Sequence, residues 1–260
     1  MTATRFHAKR EKSVRQGDLF GAAGRVLAVD LARSAALLAM VVFHFVYDLE
    51  LFGWLAPGTS TSGGWRLLAL GTAGSFLFLA GLSLWLGHGT QIRWRSFGNR
   101  LVRVAGAAAL ITAITWVAMP GAFIFFGILH AIAAASLLGL AFLRVPVIGL
   151  LALAALAFAA PSFARAEMFD AWWLWWTGLQ TVPVRSVDYV PLAPWFGPFL
   201  LGLALGRLGS RAGLWARLAP WRGGRMARRL AWPGRYSLWV YLAHQPVLIA
   251  LVWAATQVLR

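Results

Sequence analysis

The chain has 260 residues, of which 60% are apolar, a mean hydropathy of +0.70 and a formal net charge of +16. An apolar fraction that high belongs to polytopic membrane proteins and excludes an ordinary soluble domain. Most of the charge sits in loops on one side of the apolar segments, the other side keeping only Arg66, Arg165, Arg185 and Arg260, which argues against a nucleic-acid partner; the absence of cysteine rules out disulfides and thiolate metal sites.

Residues 1–24 are polar and basic and lack an apolar h-region, so they read as a cytoplasmic basic tail, not a cleavable signal peptide. Residues 25–260 read as one domain, an all-α bundle of about seven transmembrane spans at 27–52, 65–86, 101–119, 122–143, 146–160, 193–207 and 236–258. The first span carries Asp30, Arg33, His44 and Asp48. Charged groups at membrane depth are costly and mark function. His44 and Asp48 lie four residues apart and share a helix face, which suits a carboxylate orienting an imidazole for proton transfer. Asp30 and Arg33, one turn apart, read as mutually neutralising near the inner surface.

Gly53 to Gly64 reads as an external loop. Before the third span stand Arg93, Arg95, Arg100 and Arg103, either a topology signal or a set of phosphate contacts. Pro120-Gly121 predicts a tight external hairpin. A fourth span starting at 122 would put His130 about 12 Å deep at about 1.5 Å per residue, level with His44, so the two histidines form a candidate shared site. Arg144-Val145-Pro146 predicts an internal turn, and the fifth span is the weakest, at about 15 residues. The tryptophans of 172–176 are either interfacial anchors or an aromatic platform for a sugar or lipid headgroup. Gly202 and Gly206 predict a close helix contact. His244 and Gln245 precede Pro246, which frees a backbone carbonyl; they bond that break or line a cavity open to the cytoplasm, in a layer separate from His44. Two histidines and a carboxylate could hold a metal, but no further ligand pattern accompanies them, and none is expected.

With the N-terminus in the cytoplasm, arginines of the tail, of 93–103, of Arg144 and of the 207–235 connection all fall inside, the positive-inside bias. Arginine over lysine, with abundant Ala, Leu and Gly, suggests a GC-rich bacterial genome and an inner-membrane location.

Five blocks carry a family resemblance. They are Asp30 and Arg33 leading to Met40, His44 and Asp48; Ser75-Phe76-Leu77-Phe78-Leu79-Ala80-Gly81; Phe126-Gly127-Ile128-Leu129-His130; Asp188-Tyr189-Val190-Pro191-Leu192-Ala193-Pro194-Trp195-Phe196-Gly197; and Gly234-Arg235-Tyr236-Ser237 leading to His244-Gln245-Pro246. In this order the chain resembles bacterial members of the heparan-α-glucosaminide N-acetyltransferase catalytic-domain family, within the wider transmembrane acyltransferase group. The resemblance covers about residues 25–258. It departs from the family pattern at Ser34, where Gly follows the arginine, and at His44, where lysosomal relatives carry an asparagine.

The resemblance implies transfer of an acetyl or other acyl group from cytoplasmic acyl-CoA, acetyl-CoA in the simplest case, to a periplasmic glycan or glycolipid hydroxyl or amine. His44 would be the general base or acyl carrier, oriented by Asp48, and His130 would polarise the thioester carbonyl or hold the acceptor. Arg93, Arg95, Arg100 and Arg103 would meet the CoA phosphates, His244 and Gln245 would line the pantetheine path, and Asp188 and Trp195 would contact the acceptor. The expected partners are membrane lipid and that acceptor; a homo-oligomer is left open. The alternatives are a proton-coupled transporter or flippase of an envelope precursor, against which the missing internal repeat counts, and an assembly subunit. The sequence predicts that reporter fusions at Thr59 and Ala171 report the periplasm and those at Arg95 and Arg225 the cytoplasm; a reversed pattern would overturn the orientation.

Overall fold

The computed structural model describes residues 26–259. The basic tail with His7, together with Arg25 and Arg260, lies outside the described residues. These residues are helical, with no strand among them: α1 (Leu27–Leu51), α2 (Gly63–His88), α3 (Trp94–Ala118), α4 (Ile128–Phe142), α5 (Val147–Phe163) and α6 (Leu192–Arg211). Three short helices follow, α7 (Leu214–Leu218), α8 (Arg225–Leu230) and α9 (Trp232–Arg235), and then the long α10 (Ser237–Leu259). Among the described residues five helices, α1, α2, α3, α6 and α10, are long and apolar enough to cross a membrane. Helices α4 and α5 are apolar too but have only 15 and 17 residues. Each expected span thus has its helix, and the chain is an all-α, multi-pass membrane protein.

The bundle is built around α6. A methyl group added at Gly202 would stand 1.9 Å from the Phe78 carbonyl oxygen of α2, and one added at Gly81 would stand 1.9 Å from that of Phe199 on α6. Backbones this close exist only because glycine leaves the space. Around the crossing, Leu77, Leu84, Leu150, Phe199, Leu200 and Leu203 are almost wholly buried, with α5 and α4 supplying the other walls. Helices α3 and α10 are peripheral, on α4 and α1 respectively. Trp239, Val247, Leu251 and Trp253 of α10 are exposed from the protein and so face lipid.

The fourth helix starts at Ile128 rather than at 122. Residues 122–126 stay out of the helix because the carbonyls of Ala122 and Phe126 are claimed by the loop before α6: Val187 N–H bonds Ala122 O at 3.0 Å and Val190 N–H bonds Phe126 O at 3.0 Å. Asp188, between them, accepts the Ile128 N–H at 2.9 Å and so caps the helix at that point. Gly127 permits it, since a Cβ there would lie 2.2 Å from the Asp188 carboxylate.

Helix α10 runs parallel to α1. Gly234 N–H meets Ser34 Oγ at 2.8 Å, Gln245 Nε2 meets Asp48 Oδ1 at 2.7 Å and Trp54 Nε1 meets Thr256 Oγ1 at 2.9 Å. A nearly constant offset in residue number along the pair means a shared direction and register, because both helices rise equally per residue.

Gly81→Ala and Gly202→Ala should each cost about 1–3 kcal/mol of stability, the range for overpacking a filled interface. Thermal unfolding in detergent measures this, with Gly98→Ala, which meets nothing within 4 Å, as the control that should lose no stability, since Ala favours a helix over Gly.

Candidate functional site between the first and last long helices

Two polar layers join α1 to the end of the chain. The lower lies at the arginine-rich end. Asp30 is 1% exposed; its Oδ1 accepts Arg33 Nη1 at 2.8 Å and its Oδ2 faces Arg235 Nε at 3.6 Å. Arg33 Nη2 also reaches Ser83 Oγ of α2 at 2.6 Å. The Asp30–Arg33 neutralisation read from the one-turn spacing therefore extends to a second arginine far along the chain. Ser34 accepts the Gly234 N–H. Gly234 is needed there because a Cβ would lie 1.9 Å from the Asp30 carbonyl oxygen.

The upper layer holds His44, Asp48, His244 and Gln245. The His44 and His244 rings stand 4.9 Å apart, edge to face at 61°. Asp48 is fully buried, and its carboxylate bonds Gln245 instead of His44. Among the described residues, His44 Nδ1, Asp48 Oδ2, His244 Nε2 and Gln245 Oε1 are buried with no hydrogen-bond partner. Four such atoms in one place are far above what a folded interior normally tolerates.

Two expectations change here. His244 shares a layer with His44, instead of lying nearer the cytoplasm. The reason is that α8 and α9 pack along the first turns of α1, so that α10 starts about ten residues up that helix and residue 236 does not lie at the membrane's inner edge. The partner expected for His44 was His130, and the contact the structure makes is with His244. His130 lies in the first turn of α4, not eight residues into a span. Its Nδ1 accepts the Gly127 N–H at 3.2 Å, and its Nε2 stands 3.2 Å from Thr112 Oγ1, which donates to Ile124 O at 2.6 Å. A backbone N–H can only donate, so Nε2 carries the ring proton and both nitrogens hold the bend in place.

The other candidates are dispersed. Asp188 caps α4, and burial pushes its carboxyl above the usual carboxylate range, an effect the Ile128 N–H partly offsets. Trp195 packs on the main core, its ring edge facing Gly74 of α2. Arg93, Arg95 and Arg103 line an open recess of about 540 Å³ with Trp94, Ser96 and Asn99, whereas Arg100 is half-buried outside that lining. In the loop before α6, Trp172 and Trp173 are exposed, while Trp175 is tied in through Nε1 to Asp170 O at 2.9 Å. Among the described residues no three of His, Asp and Glu converge to hold a metal ion. Sequence reading missed the α1–α10 pairing; the signal available was the i, i+1 placement of His244 and Gln245 in an otherwise apolar helix.

A family model described as heparan-alpha-glucosaminide N-acetyltransferase, catalytic, matches residues 25–246. No curated protein and no solved structure matches the chain. The matched segment contains both polar layers.

Asp30→Ala removes the carboxylate that Arg33 and Arg235 share and should cost on the order of 3 kcal/mol, as for a broken buried pair. Arg235→Gln, at the more exposed partner, should cost about 1 kcal/mol or less. Unfolding midpoints of the two variants check the ranking; equal losses would refute it.

Proposed function

Because the chain belongs to the heparan-alpha-glucosaminide N-acetyltransferase catalytic family, we propose that it is a membrane acyltransferase that carries an acetyl or other acyl group from cytoplasmic acyl-CoA to a glycan or glycolipid on the periplasmic side. The inner membrane of a bacterium, with the arginine-rich end in the cytoplasm, is the setting that fits the charge distribution. The observation that supports the reading most is the pair of touching imidazoles, His44 and His244, with unpaired nitrogens at membrane depth beside a buried carboxylate. Acyl transfer from a thioester needs a base for the acceptor's proton and an acid for the departing sulfur. An imidazole supplies both in turn. Burial keeps water, a competing acceptor, away from the thioester.

The recess formed by Arg93, Arg95 and Arg103 suits the donor's phosphates, since guanidinium forks bind phosphate oxygens in pairs. It opens at the end of the bundle where acyl-CoA would arrive. From Arg33 to His44 is eleven residues of α1, about 16 Å, a gap for the donor's extended arm to cross. The acceptor would approach from the opposite end, where the aromatic loop before α6 lies, and membrane lipid would cover the apolar sides.

Acetyl-CoA should raise the melting temperature of the detergent-purified protein; at 100 times its Kd the gain is about 2.7 kcal/mol, several degrees for a chain of this size. Arg95→Gln with Arg103→Gln should shrink that shift. No shift at millimolar acetyl-CoA in folded protein would overturn the donor assignment. In a deletion strain, mass spectrometry should find an envelope glycan or lipid lacking an acetyl group; accumulation of an unmodified precursor would favour the transporter instead.

A further inference from the structure

The buried polar atoms of the upper layer are not equivalent. His244 Nδ1 lies 2.5 Å from the Tyr241 carbonyl oxygen. A carbonyl only accepts, so Nδ1 carries the hydrogen, and in the neutral ring Nε2 holds the lone pair. That nitrogen is buried and, among the described residues, has no hydrogen-bond partner. The ring is steadied by its neighbours: Tyr241 packs against it at 5.5 Å between centroids and is itself set against Phe76 of α2 at 6.4 Å. His130, by contrast, has both nitrogens engaged. Asp48 is held by the next residue of α10, Gln245, which fixes a carboxylate beside the histidine pair.

We propose that His244, through Nε2, is the general base of the transfer, with His44 as the second ring that receives or relays the proton. In the step, the acceptor's oxygen or nitrogen attacks the thioester carbonyl carbon while its proton passes to His244 Nε2. The new C–O or C–N bond forms, the C–S bond breaks, and the proton returns from the imidazolium to the departing sulfur, which leaves as the free thiol. Tyr241 acts as a positioning residue: its carbonyl sets the tautomer and its ring sets the plane. The assignment rests on the acyltransferase reading.

The test uses inverted membrane vesicles from cells that make the protein, supplied with radiolabelled acetyl-CoA, with label counted in the vesicles' own lipid and glycan fraction. His244→Asn is the informative variant, because its amide N–H can still bond the Tyr241 carbonyl while no base remains. Transfer should fall at least about 100-fold, the lower range for loss of a general base, with the melting temperature of the purified variant close to that of the parent. In His244→Ala the cavity left by the ring should admit free imidazole, and added imidazole should restore part of the transfer. Transfer retained in His244→Asn overturns the proposal, as does a loss that merely tracks loss of folded protein in both variants. A failure of the underlying reading looks different: vesicles with the parent protein would then transfer no more label than vesicles without it.

Discussion

The parallel register of α10 on α1 is the constraint from which the rest of the site follows. It is set at the arginine-rich end, where Asp30 engages Arg33 and Arg235 and Ser34 takes the Gly234 N–H. Side chains on helices cannot slide singly, so fixing residue 234 beside residue 34 fixes every pair above it. His44 then faces His244, and Asp48 faces Gln245. A slip of one turn, about 5.4 Å, would leave each of these polar groups against hydrocarbon, where an unpaired group costs several kcal/mol. The ion cluster therefore matters for position more than for net stability, since a buried ion pair is weak evidence of stabilisation.

His44, His130 and His244 show how hydrogen bonding assigns different work to one residue type. His130 takes a backbone N–H at Nδ1 and stands beside Thr112 at Nε2, and these contacts, with the Asp188 cap, hold the bend before α4. His244 gives its Nδ1 hydrogen to a carbonyl and keeps a lone pair free. His44 packs among Phe43, Tyr47 and His244. The carboxylates divide similarly. Asp48 is oriented from the partner helix, while Glu50, two residues on, accepts the Gly58 and Ser60 N–H groups at 2.6 and 2.7 Å and ties down the loop after α1. Neighbouring acids on one helix thus serve a polar interior and a surface loop.

The central crossing of α6 on α2 serves a different purpose. It joins helices by glycine-to-backbone contact, which needs no polar group at membrane depth. This leaves α1 and α10, at the edge of the bundle, free to carry the polar layers. An edge location also leaves the site close to lipid, the phase in which a lipid-linked acceptor would move.

Composition and hydropathy determined the class of this protein, where its apolar helices lie and which helix ends carry the arginines, because crossing a membrane demands long apolar stretches whatever their neighbours. The Gly202 contact and the expense of Asp30, Arg33, His44 and Asp48 were legible too, since each reflects a local rule of sterics or solvation. Pairing was not. That Asp48 belongs to Gln245, that His44 meets His244, and that α4 starts at Ile128 all depend on segments more than fifty residues away in sequence. The i, i+4 spacing places His44 and Asp48 on one face of α1, but a carboxylate goes to whichever donor is brought against it. Only the packing of α9 and α10 on α1 brings that donor.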